Sequence, residues 1–133
     1  MPQVIVTEDL NRRSRPPIFG DRSSIKETEG DITNSIRALL KTIDCFHWKQ
    51  WQGAMSQPKG VADILGILTD DKTGHGIFLA IEVKRPGQKL RPDQEKFLQR
   101  INFAGGIGFV AYSVQDVIDR LGLQNYFLSG GRA

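Results

Sequence analysis

The sequence predicts an α/β domain whose elements follow the order helix, three strands, helix, strand, helix. Apolar residues recur at helical spacing between residues 25 and 43, which predicts the first helix. The run Ile77 to Val83 is apolar at successive positions, which is typical of a central strand covered by helices on both faces. The length of 133 residues fits one domain with a buried core.

Start and stop signals bound the remaining elements. The first helix is expected to begin at the capping box Ser24-Ile25-Lys26-Glu27. Proline in the first turn predicts a second helix from Arg91, which ends at Gly105 and Gly106. A third, short helix follows a cap at Ser113. The strands are expected at Phe46–Trp51, Val61–Thr69, Ile77–Lys84 and Ile107–Tyr112.

Three segments are expected along the chain. Residues 1–22 contain arginine, proline and glycine that interrupt any period, so we expect a flexible basic arm. Residues 23–122 form the folded domain, and residues 123–133 form a C-terminal tail. No basic region followed by an apolar region opens the chain, and no apolar stretch is long enough to span a membrane. Together with the single cysteine, Cys45, this predicts an intracellular, cytoplasmic protein.

Charge is distributed unevenly around the two apolar runs in the middle of the chain. The net charge is only +3, but acidic residues dominate between Val61 and Glu82, and basic residues dominate between Lys84 and Arg100. This distribution suits a metal centre beside a phosphate-binding surface. A solvated helix face with charges of both signs explains it equally well.

Asp63, Glu82 and Lys84 carry the chemical prediction. Successive strand residues point to opposite faces, so Glu82 and Lys84 should emerge side by side on one face. Asp63 joins them if the two apolar runs pair as neighbouring strands. Carboxylates in an apolar sheet are expensive to bury and suited to binding a hard cation. The alternative is a simple ion pair at a strand end.

Glu29 is the acidic residue of the first helix that helical spacing places on the same stripe as Ile32 and Ile36. A carboxylate on the core side needs a partner, so Glu29 is a candidate for the same site. A solvated first-turn glutamate, favoured by the helix dipole, is the open alternative.

Other kinds of site are not supported. His47 and His75 lie far apart without a cysteine or aspartate cluster, so no zinc site is predicted. The sequence contains no phosphate-binding P-loop, and its Gly-Gly-Ile-Gly run follows a helix rather than a strand, unlike a dinucleotide fingerprint. Trp48 and Trp51 are more typical of core or interface positions than of base stacking.

Three ordered motifs strongly resemble the VRR-NUC family of the PD-(D/E)xK nuclease superfamily. They are Gly60–Gly66, Phe78–Gly87 and Leu90–Gln94, and the resemblance covers about Glu29 to Leu121. One departure is Ala62, where the superfamily motif has a proline that is not a ligand. The resemblance implies a restriction-endonuclease-like αβββαβα core with a mixed central sheet flanked by helices.

The resemblance also implies roles for particular residues. Asp63, Glu82, the Val83 carbonyl and Glu29 would bind Mg²⁺, for which Mn²⁺ is an expected substitute. Lys84 would orient the attacking water, and Gln94 would position water or phosphate. The basic residues expected to contact DNA are Lys49, Lys59, Arg85, Lys89 and Arg91.

The expected function is therefore a metal-dependent, structure-specific endodeoxyribonuclease of the stand-alone phage or bacterial type. A homodimer that resolves four-way (Holliday) junctions during DNA repair or recombination is preferred, because symmetric cleavage of two strands needs two sites. Cleavage of flaps or splayed arms is the alternative. A non-catalytic DNA-binding module on a nuclease fold is a further alternative, and RNA cleavage stays open.

Overall fold

The structure is a computed structural model in which residues 26–51 and 58–124 are described. Its elements follow the predicted order of helix, three strands, helix, strand and helix. They are α1 (Glu29–Thr42), β1 (Phe46–Lys49), β2 (Ile64–Thr69), β3 (Gly76–Val83), α2 (Pro92–Phe103), β4 (Ile107–Ala111) and α3 (Val114–Arg120).

The four strands form one mixed sheet in the order β1-β2-β3-β4. The pairs β1·β2 and β2·β3 are antiparallel, and β3·β4 is parallel. A parallel pair needs a crossover connection, and α2 supplies it. The order αβββαβα and the mixed central sheet flanked by helices are thus confirmed.

Alternation along β3 divides the core into two layers. Leu79, Ile81 and Val83 face α1 and α3, where the larger apolar cluster also contains Ile36 and Leu39. On the other face, Ala80 packs with Leu65 and Leu98 under α2. Both faces of β3 are covered, which explains why its sequence is apolar at successive positions.

The first helix begins later than the sequence predicted. Lys26, Glu27 and Thr28 are not helical, and α1 starts at Glu29. Thr28 is the N-cap, and its hydroxyl accepts from the Asp31 amide while the Asp31 carboxylate accepts from the Thr28 amide. The prediction of a start at the Ser24 capping box was therefore wrong, because a second capping box four residues later is the one that the helix uses.

The caps of the later helices were predicted correctly. Arg91 is the N-cap of α2 with proline next to it, and the Ser113 side chain accepts a hydrogen bond from the Asp116 amide at the start of α3. Leu123, which the sequence placed in the tail, is buried in the larger apolar cluster, so the packed domain extends past residue 122. The predicted arm and residues 125–133 of the predicted tail lie outside the described residues.

Cys45 is buried, as expected for a small core residue, and burial raises the pKa of its thiol. No helix within residues 26–51 and 58–124 has the length and apolar content needed to cross a membrane.

Candidate functional site

Asp63 lies in a bend immediately before β2, beside the last residues of β3. Ile64 pairs with Ile81, so Asp63 comes opposite Glu82, and its Oδ2 accepts a hydrogen bond of 2.8 Å from the Val83 amide. The Asp63 carboxylate thus continues the β2–β3 ladder beyond the end of β2. The sequence predicted that Asp63 would stand beside Glu82, and this is confirmed, although Asp63 lies outside the strand that was expected to contain it.

Glu82 is the buried acid of the site, with 4% of its surface exposed. It lies on the face of β3 that α2 covers, one pleat beyond Ala80. Burial, then the nearby negative charge of Asp63 and a hydrogen bond between the two acidic side chains, raise the pKa of Glu82 to about 8, although the cations of Lys84 and Arg91 act in the opposite direction. A pKa in this range favours the protonated form of Glu82 near neutral pH unless a cation binds there.

Lys84 emerges on the same face as Glu82, as the alternation of the strand predicted. Its Nζ lies 3.9 Å from Glu82 Oε2, and its side chain is 12% exposed. The Lys84 amide donates to the Ala111 carbonyl of β4, which fixes the backbone of this strand end from the other side. The ammonium is thus held at the buried carboxylate but still reaches the surface.

Gln94 reaches the site from the first turn of α2. Its Nε2 donates to Glu82 Oε2 at 3.1 Å, and its Oε1 accepts from the Arg91 amide at 2.9 Å. Because the amide oxygen is already paired with a backbone N–H group, the nitrogen must be the atom that faces Glu82. The inward position predicted from helical spacing is confirmed, and Gln94 is 6% exposed.

One oxygen of Glu82 receives no hydrogen bond from a donor among the described residues. Oε1 is buried and accepts no hydrogen bond from them, whereas Oε2 is shared between Gln94 and Lys84. A buried carboxylate oxygen without a donor is costly and calls for an explanation, of which a bound cation is one. The Val83 amide points toward Asp63, and the carbonyl of a strand residue points to the same edge as its amide, so a backbone oxygen is directed there too.

These oxygens fit a magnesium ion. Mg²⁺ binds through one or two carboxylates and keeps several waters, so Asp63, Glu82 and the Val83 carbonyl suffice. The described residues contain no group of three or more histidine, cysteine, aspartate or glutamate side chains that is close enough to hold a metal.

Glu29 is the candidate acid that the first helix carries. It is the first residue of α1, and α1 packs on the sheet face opposite the one that carries the Glu82 side chain. Its half-buried position agrees with the predicted stripe, but the stripe leads to the larger core. Its role as a metal ligand stays a prediction.

The five basic residues predicted to contact DNA are all exposed. Lys49 ends β1 next to Gln50, whose amide donates to the Asp63 carbonyl, and Arg91 caps α2 next to the site. Gly60 opens the first of the resembling motifs, but the sequence predicted no role for it; it has φ of +76° and lies against the first turn of α2. A positive φ is not visible in the sequence, although the glycine three residues before Asp63 was the available signal. The five predicted residues are Lys49, Lys59, Arg85, Lys89 and Arg91.

Comparison with known proteins identifies a related family. The model of the VRR-NUC domain family matches residues 10–115, which begins within the predicted arm. A solved structure described as a VRR_NUC domain protein is 16% identical, with a TM-score of 0.47, and the alignment covers 97% of this chain and 89% of that chain. The curated proteins include no significant match.

Proposed function

We propose that this chain, which belongs to the VRR-NUC family and has its nuclease-type fold, is a magnesium-dependent endodeoxyribonuclease that cuts structured DNA. The observation that carries the proposal is the buried Glu82 carboxylate, held by Gln94 and Lys84 with Oε1 lacking a donor among the described residues next to Asp63. An ion pair that served only solubility would not bury its carboxylate or leave an oxygen without a donor.

Each side chain has a task in phosphodiester hydrolysis. Bound Mg²⁺ would stabilise negative charge on the phosphate and make a nearby water more acidic. Glu82 and Asp63 supply the anionic oxygens. Lys84 places a positive charge at the surface end of the site, where it can orient the attacking water and offset charge that develops on the phosphate.

Gln94 holds Glu82 in position. The Gln94 side chain is fixed because its amide oxygen accepts a hydrogen bond from the Arg91 backbone. The Glu82 side chain that Gln94 binds is therefore already oriented before the reaction, and no further side-chain entropy has to be lost. The second oxygen of Glu82 is left directed away from the amide. Gln94 thus orients Glu82, the proposed metal ligand. This role does not require Gln94 to bind water or phosphate directly.

The substrate that we propose is a four-way DNA junction, cut by a two-fold dimer of this chain. Two sites are needed to cut two strands symmetrically, and one chain supplies one. An exposed apolar row supports a second copy: Phe46, Ile67 and Phe78 are paired in register across β1, β2 and β3 and are 68%, 40% and 38% exposed. Residues paired in register share one face, so these three side chains form a continuous surface.

A cleavage panel tests the activity and the substrate together. Four-way junction, flap, splayed-arm and linear DNA, with an RNA duplex as a further substrate, are incubated with and without Mg²⁺ or Mn²⁺. We expect metal-dependent cleavage of the junction by symmetric incisions, and at least a roughly 100-fold loss in Glu82→Gln and Lys84→Ala with retained DNA binding. The matched control is Glu95→Gln, which removes an exposed carboxylate next to Gln94.

Each outcome bears on a different part of the proposal. Cleavage of flaps with intact junctions overturns the junction assignment and leaves the nuclease. Unchanged DNA handling in both site variants, with no metal-dependent product, overturns the nuclease and favours a binding module. A monomeric mass in sedimentation equilibrium, unaltered by Phe46→Glu, overturns the dimer.

A further inference from the structure

A groove of about 680 Å³ runs along the outer side of α2, where the segment before β2 packs against that helix. Asp93, Lys96 and Arg100 line it from the helix, and their spacing of three and four residues places them on one face. Lys59 lines it from the opposite side, directly before Gly60, which contacts the backbone of Asp93. The half-buried Phe97 contributes an apolar surface.

The groove is positively charged. Lys59, Lys96 and Arg100 face one acid, Asp93, whose carboxylate is already bound by the Arg91 guanidinium at 3.2 Å. That hydrogen bond lowers the pKa of Asp93, so the acid is ionised and its charge is offset by Arg91. Lys59, Lys96 and Arg100 form no ion pair with another described residue. Three cations are thus available to an anionic ligand.

The groove begins one residue from Gln94 and runs along α2 away from the candidate site. Asp93 precedes Gln94, which binds Glu82, and Arg100 lies seven residues further along the helix, or about 10 Å at 1.5 Å per residue. One DNA strand carries a phosphate about every 3.4 Å along the helix axis, so about three phosphates span that distance. The groove is thus long enough for such a strand segment, and it offers three cations to the phosphates.

We infer that this groove binds the sugar-phosphate backbone of the substrate strand beside the bond that is cut, an inference that rests on the proposed nuclease function. Lys96 and Arg100 extend the predicted contact set, which included only Lys59 from this groove. The contacts are to phosphates, with Phe97 available to a sugar or base, so they position the strand without reading its sequence.

Neutralising the groove tests the inference. The groove variant combines Lys59→Gln, Lys96→Gln and Arg100→Gln, and all three side chains are exposed, so the fold should be retained. The matched control combines Lys41→Gln, Lys72→Gln and Arg120→Gln, which removes the same charge from exposed residues that do not line the groove. Binding of a fluorescent four-way junction is titrated in EDTA over a series of NaCl concentrations, so that no cleavage occurs.

For the groove variant we expect the slope of log K against log salt to be smaller in magnitude by about 2 to 3. Each lost phosphate contact reduces this slope by about 0.9. Affinity at low salt should fall at least tenfold and equally for two unrelated sequences, with the control unchanged. Equal slopes for the groove variant and the control overturn the inference. A polyglutamate peptide serves as a second ligand. If the groove variant loses binding of this peptide but binds DNA as the wild type does, the inference is overturned in favour of an acidic protein partner.

The binding experiment is independent of the proposed activity. Wild-type protein that cuts no DNA in Mg²⁺ but shows the expected change in slope contradicts the nuclease and keeps the groove. Wild-type protein that cuts junctions while both variants bind DNA with equal slopes contradicts the groove and keeps the nuclease.

Discussion

At the scale of single residues, the site depends on how Gln94 divides its amide between two partners. Its oxygen is bound by the Arg91 amide, so its nitrogen is left for Glu82. The same side chain caps the start of α2 by accepting from the Arg91 amide, and it orients the buried acid. A glutamate at this position would cap the helix equally well but would place a second carboxyl group against Glu82 Oε2.

Substitutions of Gln94 separate these two tasks. We expect Gln94→Glu to keep the cap, to raise the pKa of Glu82 further by like-charge repulsion, and to shift the pH profile of cleavage to higher pH. Gln94→Ala also removes the cap and leaves Glu82 Oε2 with only the ammonium at 3.9 Å, so it should lower the free energy of unfolding by about 1 to 3 kcal/mol. Single-turnover rates between pH 6 and 9 and urea unfolding measure both effects. An unshifted profile in Gln94→Glu would contradict the first expectation.

Residues that lie close along the chain or in register were predictable, and residues joined by helix packing were not. That Glu82 and Lys84 lie close together follows from strand alternation. That Asp63 lies beside them follows from the pairing of two apolar runs as neighbouring strands. Helical spacing made Glu29 a candidate for the site, but such spacing identifies only the buried stripe of a helix and not the residues that this stripe meets, so the role of Glu29 stays a prediction. The partnership of Gln94 with Glu82 likewise depends on how closely α2 approaches β3.

At the scale of elements, Gly60 joins the loop that carries Asp63 to the helix that carries Gln94. A Cβ atom at Gly60 would lie 2.3 Å from the Asp93 carbonyl oxygen and 2.7 Å from the Gln94 amide nitrogen. The positive φ of +76° adds a second reason for glycine at this position. The close approach of loop and helix therefore fixes the distance between the two sides of the site.

Gly60→Ala should impair the site more than an ordinary loop substitution does. The matched control is Gly74→Ala, because Gly74 has nearly the same φ of +75° but a Cβ atom added there would meet no heavy atom within 4 Å. Both variants carry the backbone strain of about 1 kcal/mol, and only Gly60→Ala must also displace α2. We expect Gly60→Ala to reduce the cleavage rate at least tenfold and Gly74→Ala to leave it unchanged. Equal rates in the two variants would show that the approach of loop and helix does not position the site.

The first helix shows why some element boundaries were not predictable. Two segments in succession, Ser24 to Glu27 and Thr28 to Asp31, carry the pattern of a capping box. Local sequence favours either start, and the structure uses the second. For α2 and α3 the choice was simple, because proline follows Arg91 and a single capping residue, Ser113, precedes the apolar positions of α3.

At the scale of the whole molecule, the end of β3 that carries Glu82 is covered on both faces, and the acid of the site lies within one of the covered layers. Removal from water stabilises the apolar side chains of Leu65, Ala80 and Leu98. Glu82 lies on the same face, and the same removal from water disfavours its ionised form. The fold is therefore expected to be most stable when Glu82 is protonated. Ionisation, which a cation requires, is expected to weaken the metal-free protein.

The last prediction concerns stability against pH. The pKa of Glu82 is raised from 4.5 to about 8 in the folded protein, so its contribution to stability is fully present below pH 4.5 and is lost as pH rises through about 8. One pKa unit corresponds to about 1.4 kcal/mol, so the loss amounts to a few kcal/mol. Urea unfolding between pH 5 and 9 should show this decline in the wild type and in Glu95→Gln, but not in Glu82→Gln. Because Mg²⁺ binds the ionised carboxylate, it should raise the melting temperature of the wild type more at pH 9 than at pH 6, and leave Glu82→Gln nearly unchanged. Two results would contradict the claim that Glu82 is a buried acid that ionises when a cation binds. One is a free energy of unfolding that varies with pH in parallel for the wild type and Glu82→Gln, and the other is equal stabilisation of both by Mg²⁺.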